Sequence, residues 1–231
     1  SELYERICGQ PEYYPTRTEL SILDSASGEI MRFFSNGNDG DLVELGSGSN
    51  VKVRILLDAL PGRDLAGIRY VPVDISETCL RHAADDLSTI YPELSILGIV
   101  ADFTRHLDVL PSGRKLITFL GGTIGNFSEQ ESSSFLAKVA ANMGSEDRFL
   151  LGFDMLKPID VLEAAYNDSQ GITSAFNLNI LCHINRLLKA DFDPQRFEHL
   201  AFFNAEKARV EMHLRARENV KVNIPALQFS V

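Results

Sequence analysis

The 231-residue sequence is poor in cysteine, and the three it has, Cys8, Cys79 and Cys182, lie far apart. No CxxC pair exists, which excludes a paired-cysteine zinc site and a dithiol redox motif, and fits reduced thiols in a cytoplasmic protein. There is no run of lysine or arginine, and the formal net charge is −10. A protein that tracks a phosphate backbone needs a basic face, so a nucleic-acid substrate is disfavoured and a small molecule is expected. No apolar run approaches the about 18 residues that span a bilayer, and no signal peptide is visible, so no membrane partner is expected. The histidines, His82, His106, His183, His199 and His213, form neither an HxH nor an HExxH spacing. They read as surface or satisfied core residues, with no metal site. Internal repeats and low-complexity segments are absent too.

What is present is an ordinary globular composition, 45 % hydrophobic and 23 % charged, which argues against disorder for the bulk of the chain. The length suits one large domain, or one domain with a smaller lobe. A short helix within 1–14 and a loop at 11–16 precede apolar residues at helical spacing over 17–34. Asn36-Gly-Asn-Asp-Gly40 breaks that pattern. Strand and helix then alternate. Strands are expected at 41–45, 68–73, 95–100, 115–120 and 149–153. Helices are expected at 50–60, from Ser76 to about Tyr91, and from Ser128 to near Gly144, with Pro61-Gly62 ending the first. This order implies an α/β fold with a parallel sheet buried on both faces, whose ligands bind at the carboxyl ends of the strands. After Pro158 the pattern changes. Helices are expected at 159–167 and 175–188, and alternating strands at 209–216 and 220–224, as a lobe or as the sheet's last strands. Ser1 to Arg6 look like the middle of an amphipathic helix and Leu227 to Val231 like an interrupted strand. The chain is therefore expected to be a piece clipped at both ends.

The chemistry concentrates at the strand ends. Val43-Glu-Leu-Gly-Ser-Gly-Ser-Asn50 places Glu44 two residues before Gly46, with Gly48 following. The glycines allow a tight turn and close approach of a ligand to the backbone. A dinucleotide fingerprint asks for a small residue where Val51 stands, which argues against a bound pyrophosphate. An acidic residue followed by Gly-x-Gly resembles the first motif of class I S-adenosylmethionine (SAM) methyltransferases. Asp74, ending the next strand, can accept from both ribose hydroxyls, or can simply cap the following helix. Asp102-Phe103, after the third, can accept from an adenine amine and stack on the ring, although Phe103 fits the core equally. Lys52 can pair with the carboxylate of SAM or stay solvated. After the fourth strand, Phe119-Leu-Gly-Gly-Thr-Ile-Gly-Asn126-Phe127 exposes backbone and offers Asn126, a donor and acceptor able to hold an amine, or a helix cap.

Several longer segments carry a more specific likeness. They are Glu12-Tyr-Tyr-Pro-Thr-Arg-Thr-Glu19, Ala101-Asp-Phe-Thr-Arg105, Leu120-Gly-Gly-Thr-Ile-Gly-Asn126, Ala164-Ala-Tyr-Asn-Asp168, Gly171-Ile-Thr-Ser-Ala-Phe-Asn177 and Ala190-Asp-Phe-Asp193. Over essentially its whole length the chain resembles the histidine Nα-methyltransferases of ergothioneine biosynthesis, which trimethylate L-histidine to hercynine with SAM. The resemblance implies a Rossmann-like SAM-binding domain over 17–157. It also implies an amino-acid-binding lobe from 1–16 and 158–231, incomplete at its carboxyl end. It assigns Glu44, Gly46, Gly48, Lys52, Asp74, Asp102 and Phe103 to SAM. Tyr14, Gly121, Asn126, Tyr166, Phe176 and Met212 fall to histidine, with Tyr14 and Asn126 nearest the chemistry. Family members also begin earlier, with a further pocket tyrosine, and continue past Val231 into a Thr-Glu-Ile-Ser segment whose Glu and Ser hold the imidazole.

Methyl transfer needs a free amine, and reference α-amino pKa values are about 7.7–8.0. Neutral partners such as Asn126 and tyrosine hydroxyls do not over-stabilise the ammonium, so no strong general base is expected. The aromatic faces of Tyr14, Tyr166 and Phe176 suit the quaternary product. The alternatives are an N-methyltransferase of another amino acid, a nicotinamide oxidoreductase lacking its usual catalytic groups, and a non-catalytic SAM-binding domain. The enzyme is expected to work as a monomer.

Overall fold

A computed structural model describes residues 2–35, 39–60, 65–227 and 229–230. The breaker at 36–38 and Pro61-Gly62 lie outside the described residues. The chain divides into two compact units, Thr18–Asp154 and Ser1–Arg17 with Met155–Val231.

In the first unit the alternation read from the sequence is realised. Its elements are helix α2 (Tyr14–Ser35, whose first four residues belong to the other unit), β1 (Gly40–Leu45), α3 (Val51–Asp58), β2 (Ile68–Asp74), α4 (Glu77–Ile90), β3 (Ser95–Ile96), β4 (Ile99–Val100), β5 (Lys115–Phe119), α5 (Glu129–Ala141) and β6 (Arg148–Leu151). The pairings run β3-β2-β1-β5-β6, all parallel, with β4 also on β2. With β3 and β4 taken as one interrupted strand, this is the Rossmann-like order 3-2-1-4-5 of the class I methyltransferase fold. Both faces of the sheet are covered, as the continuous apolar strands require. Leu42, Ile68, Tyr70 and Leu116 face one core with Leu23, Met31 and Phe34 of α2 and Val53, Leu56 and Leu57 of α3. The alternate residues Val43, Val71, Val73, Ile117 and Phe119 face a second core with Phe135 and Val139 of α5.

The expected strand over 95–100 is broken, and the break has a physical cause. Arg69 pairs with Ser95 and Val73 with Ile99, so the register does not slip across the gap. Tyr70 and Asp74 turn their carbonyls towards this strand, accepting from Leu97 and Ala101. Residues two apart on a strand point the same way, so Pro72 would have to donate on that side, and proline has no N–H.

Helix α2 begins at Tyr14, three residues earlier than the expected start, because Pro15 is tolerated in a first turn where no intrahelical donor is needed. Ser76 caps α4, accepting from the Cys79 amide. Ser128 and Glu131 form a reciprocal capping box on α5.

The second unit contains α1 (Glu2–Cys8), α6 (Ile159–Tyr166), α7 (Ile172–Leu188), β7 (Phe197–Asn204), β8 (Arg209–Ala216), β9 (Asn223–Ile224) and β10 (Phe229–Ser230). Helix α7 begins earlier than expected because Asp168 accepts from the amides of both Ile172 and Thr173. The two strands expected at 209–216 and 220–224 do not pair with each other. β8 forms an antiparallel hairpin with β7, which the sequence pattern does not mark as a strand, whereas 223–224 pairs with 229–230. Phe197-Glu-His-Leu-Ala-Phe-Phe-Asn204 lacks polar alternation because nearly every residue is half-buried, so period two is invisible there. Among the described residues no helix is long and apolar enough to cross a membrane.

Candidate functional site

The carboxyl ends of the central strands lie level. Leu45 pairs with Val73, and Val73 in turn with Ile99. Glu44 and Asp74 therefore share one edge of the sheet with Asp102, two residues beyond β4. Glu44 is only 5 % exposed. Its carboxyl group accepts from the hydroxyl of Tyr70, which is itself 3.2 Å from the Ser47 hydroxyl. Burial pushes Glu44 up to about 7, against the opposing pull of Tyr70, Lys52 and Ser47. Burial also raises Tyr70. Asp74 Oδ1 accepts from the Ser76 amide at 2.8 Å, and Oδ2 has no protein hydrogen-bond partner among the described residues.

Asp102 is shaped by its own turn. The Thr104 amide and hydroxyl donate to Oδ1 at 2.9 and 2.6 Å, and these bonds hold its carboxyl below the usual range. Arg105 reaches Oδ2 at 3.4 Å. Phe103 serves both of its readings. One edge packs on Phe119 and Phe135 of the core, and the ring also lies over the glycine turn, 3.5 Å from where a Gly46 Cβ would be. Gly46 has φ +80°, a conformation open to glycine at little cost.

Lys52, expected beside a bound carboxylate, is paired inside the protein: its ammonium lies 2.5 Å from Glu19 Oε2. The other Glu19 oxygen accepts from the Gly121 amide at 2.7 Å. Gly121 has φ +82°, and a Cβ there would come within 2.9 Å of Lys52 Nζ. In the sequence Glu19 is no more than the end of a motif. Helical spacing puts it on α2, but nothing in the sequence links it to its partners 33 and 102 residues away. Asn126 ends a short 3-10 turn, Thr123–Asn126, and is exposed. It is not the cap of α5; Ser128 is.

The remaining candidates belong to the second unit. Tyr14 accepts from Lys157 Nζ at 3.1 Å, and the same ammonium lies 4.4 Å from its ring centroid. Tyr166 meets Tyr13 edge-on at 5.9 Å, and its carbonyl is 2.8 Å from His199 Nε2. Phe176 lies 6.4 Å from Tyr4. Met212 is on β8, opposite Ala201, and is 40 % exposed. Lys157, Tyr13 and Tyr4 are not singled out by the sequence. Among the described residues no group of three His, Cys, Asp or Glu could hold a metal.

A groove of about 330 Å³ lies at the opposite, amino end of the strands, lined by Asp41, Arg69, Ser95 and Arg114 among others. Arg69 is already held there by both Asp41 oxygens. None of the motif residues reaches it, and ligands of parallel sheets bind at the other end.

The family model for SAM-dependent, histidine-specific methyltransferases matches residues 1–231. The chain belongs to that family. It is 43 % identical to the histidine N-alpha-methyltransferase of Mycolicibacterium smegmatis over 232 aligned positions, covering 100 % of this chain and 71 % of that protein. The namesake of Mycobacterium tuberculosis is 42 % identical over the same shares. The L-tryptophan methyltransferase of Psilocybe serbica is 28 % identical, covering 92 % of this chain and 65 % of its own length. For a SAM-dependent methyltransferase the strand-end residues fit the cofactor. A Cβ on Gly48, Gly122 or Gly125 would meet nothing within 4 Å, so both loops leave open space over the sheet edge. Asp74 keeps one oxygen without a protein partner among the described residues, an acceptor of the kind that ribose hydroxyls would need, and the ionised Asp102 is acceptor-only, as an exocyclic amine would require.

Proposed function

We propose that this chain transfers methyl groups from SAM to the α-amino group of L-histidine, up to the trimethylated betaine, in ergothioneine biosynthesis. The match of the entire chain to the histidine-specific family carries this reading. A soluble, cytoplasmic monomer is the accompanying reading, and the spread-out free thiols agree with a reducing compartment.

Bound SAM supplies a methyl group activated on a sulfonium. Asp74 Oδ2 would accept from the ribose hydroxyls, Asp102 from the adenine amine, and the exposed face of Phe103 would stack on the ring. The glycine turn at Gly46 and Gly48 would admit the methionyl part against bare backbone, with Lys52 on its carboxylate. Glu44 acts from below, through Tyr70 and Ser47, as the buried floor of that turn. The resemblance gives Tyr14, Asn126 and Tyr166 the amino-acid head and lets Gly121, Phe176 and Met212 line the pocket. Asn126 is neutral, so it can orient a free amine without raising its pKa, and after transfer the methylated ammonium would lose its proton to water, directly or relayed through a tyrosine hydroxyl that passes on its own. The protein's main contribution is to hold nitrogen and methyl in near-attack geometry. The Lys157 ammonium already lies 4.4 Å from the Tyr14 ring centroid, so a cation can approach this ring, as a quaternary product would have to without the hydrogen bond that Lys157 adds.

Mass spectrometry of histidine incubated with SAM and the protein tests this reading. Gains of one, two or three methyls are expected on the α-nitrogen. Unchanged histidine beside methylated tryptophan would move the chain to the amino-acid specificity named for its more distant relative.

A further inference from the structure

We propose that Glu19 is a positioning residue for methyl transfer. Its two oxygens lock the cofactor-side lysine, Lys52, and the acceptor-side loop that runs from Gly121 to Asn126 into one arrangement. The inference rests on the SAM reading of this strand edge.

The work is divided between the two oxygens. Oε1 accepts from the Gly121 amide at 2.7 Å, and Oε2 faces the Lys52 ammonium at 2.5 Å. The pair is mostly withdrawn from water, with side chains 16 % and 19 % exposed. Two glycines make room for it. A Cβ on Gly152, just past β6, would collide with Glu19 Oε1 and sit 3.3 Å from the Leu120 Cα, and a Cβ on Gly121 would sit 2.9 Å from Lys52 Nζ. The carboxylate is thus seated at the ends of β5 and β6, packed directly against Gly152, where a side chain would crowd both it and the Leu120 backbone. A solvated surface pair would need no such clearance.

The consequence is mechanical. Lys52 lies in the first turn of α3, directly after the glycine turn. Its four-carbon stem is flexible, and a paired ammonium is pre-ordered for a ligand carboxylate instead of being ordered on binding. With its partner gone, the half-dry ammonium swings out to hydrate. Gly121 opens the turn that ends at Asn126, so fixing its amide fixes where that turn starts.

Glu19→Gln and Glu19→Ala separate the two oxygens. Glutamine keeps a carbonyl for the Gly121 amide but loses the charge that holds Lys52; alanine loses both. Calorimetry is expected to show SAM affinity weakened on the order of 10-fold in both variants, the scale set by one well-placed charge-assisted hydrogen bond. At saturating SAM, kcat should stay near the parent value in Glu19→Gln and fall roughly 10- to 100-fold in Glu19→Ala, as when a reacting group is misplaced. In the ligand-free protein, hydrogen exchange at the Gly121 amide should quicken in Glu19→Ala alone.

Equal kcat losses in both variants, parent-like SAM affinity in both, or tighter SAM binding in Glu19→Gln would each overturn the proposal. Tighter binding would mean that Glu19 competes with the ligand for Lys52. If Glu19→Ala does not fold, Glu19→Gln decides alone: weaker SAM binding with unchanged saturated kcat is required. A parent protein that binds no SAM would sink the underlying reading as well, whereas a binding parent with indifferent variants sinks only this one.

Discussion

Glu44 shows how far a residue's type and its environment diverge. The sequence marks it as an acid before a glycine turn, a natural partner for a ligand. In the folded chain it is buried beneath that turn and shares a proton-rich network with Tyr70 and Ser47. Its folded pKa of about 7 lies above the ordinary 4.5, so between those values the native state holds a proton that the unfolded chain has released. Stability from this group is therefore present below pH 4.5 and drains away as pH rises to about 7, by up to about 3 kcal/mol. Glu44→Gln keeps an acceptor for Tyr70 and removes the titration. Urea unfolding should show the wild type losing ground to this variant between about pH 5 and 7.5. A constant gap between the two would show that Glu44 titrates normally. The depressed carboxyls Asp147 and Asp168, whose burial is outweighed by hydrogen bonds, act oppositely but cancel in the comparison. Asp74→Ala is a sharper test of the ligand side. Removing an acceptor for two hydroxyls should weaken SAM binding by roughly 100-fold or more, since bonds to charged groups contribute about 1.5–3 kcal/mol each. Unchanged affinity in calorimetry would put the ribose elsewhere.

Elements were legible where their signals are local. The cap at Ser76, the box at Ser128 and Glu131 and the run of buried strands each depend on residues within a turn or a strand of one another. What escaped depends on neighbours remote in sequence. The gap between β3 and β4 comes from Pro72, on a different strand. β7 hides because both of its faces are half-covered, so it shows no alternation. The candidate site divides the same way: glycines and carboxylates at strand ends are readable as residue types, whereas the hold of Glu19 on Lys52 and of Lys157 on Tyr14 is not. A locally encoded element should fail locally. Ser128→Ala removes the acceptor of the Glu131 amide and should cost about 1 kcal/mol, the usual worth of a serine cap. Combined with Glu131→Ala, the loss should be less than additive, because both changes break one box. Additive losses in urea titrations would mean that the two bonds act independently.

For the molecule as a whole, the acidic balance and the neutral character of Asn126 point to one kinetic signature. With no run of lysine or arginine and a net charge of −10, the chain has no general field that would draw in an anionic polymer. Its work is then governed by the state of a small amine. If the protein supplies no strong base, the amine must arrive unprotonated, and kcat/KM for histidine should rise about tenfold per pH unit until the amine's own pKa, then level off. That pKa belongs to the substrate, so replacing residues at the site should leave the inflection where it is. A buried group poised to interfere is Glu44, whose ionisation near 7 places a charge beneath the glycine turn. Glu44→Gln separates the two contributions. A profile that keeps its upper inflection in the variant assigns the proton to histidine. A profile whose inflection moves or vanishes would make Glu44 part of the proton path and would contradict the base-free mechanism.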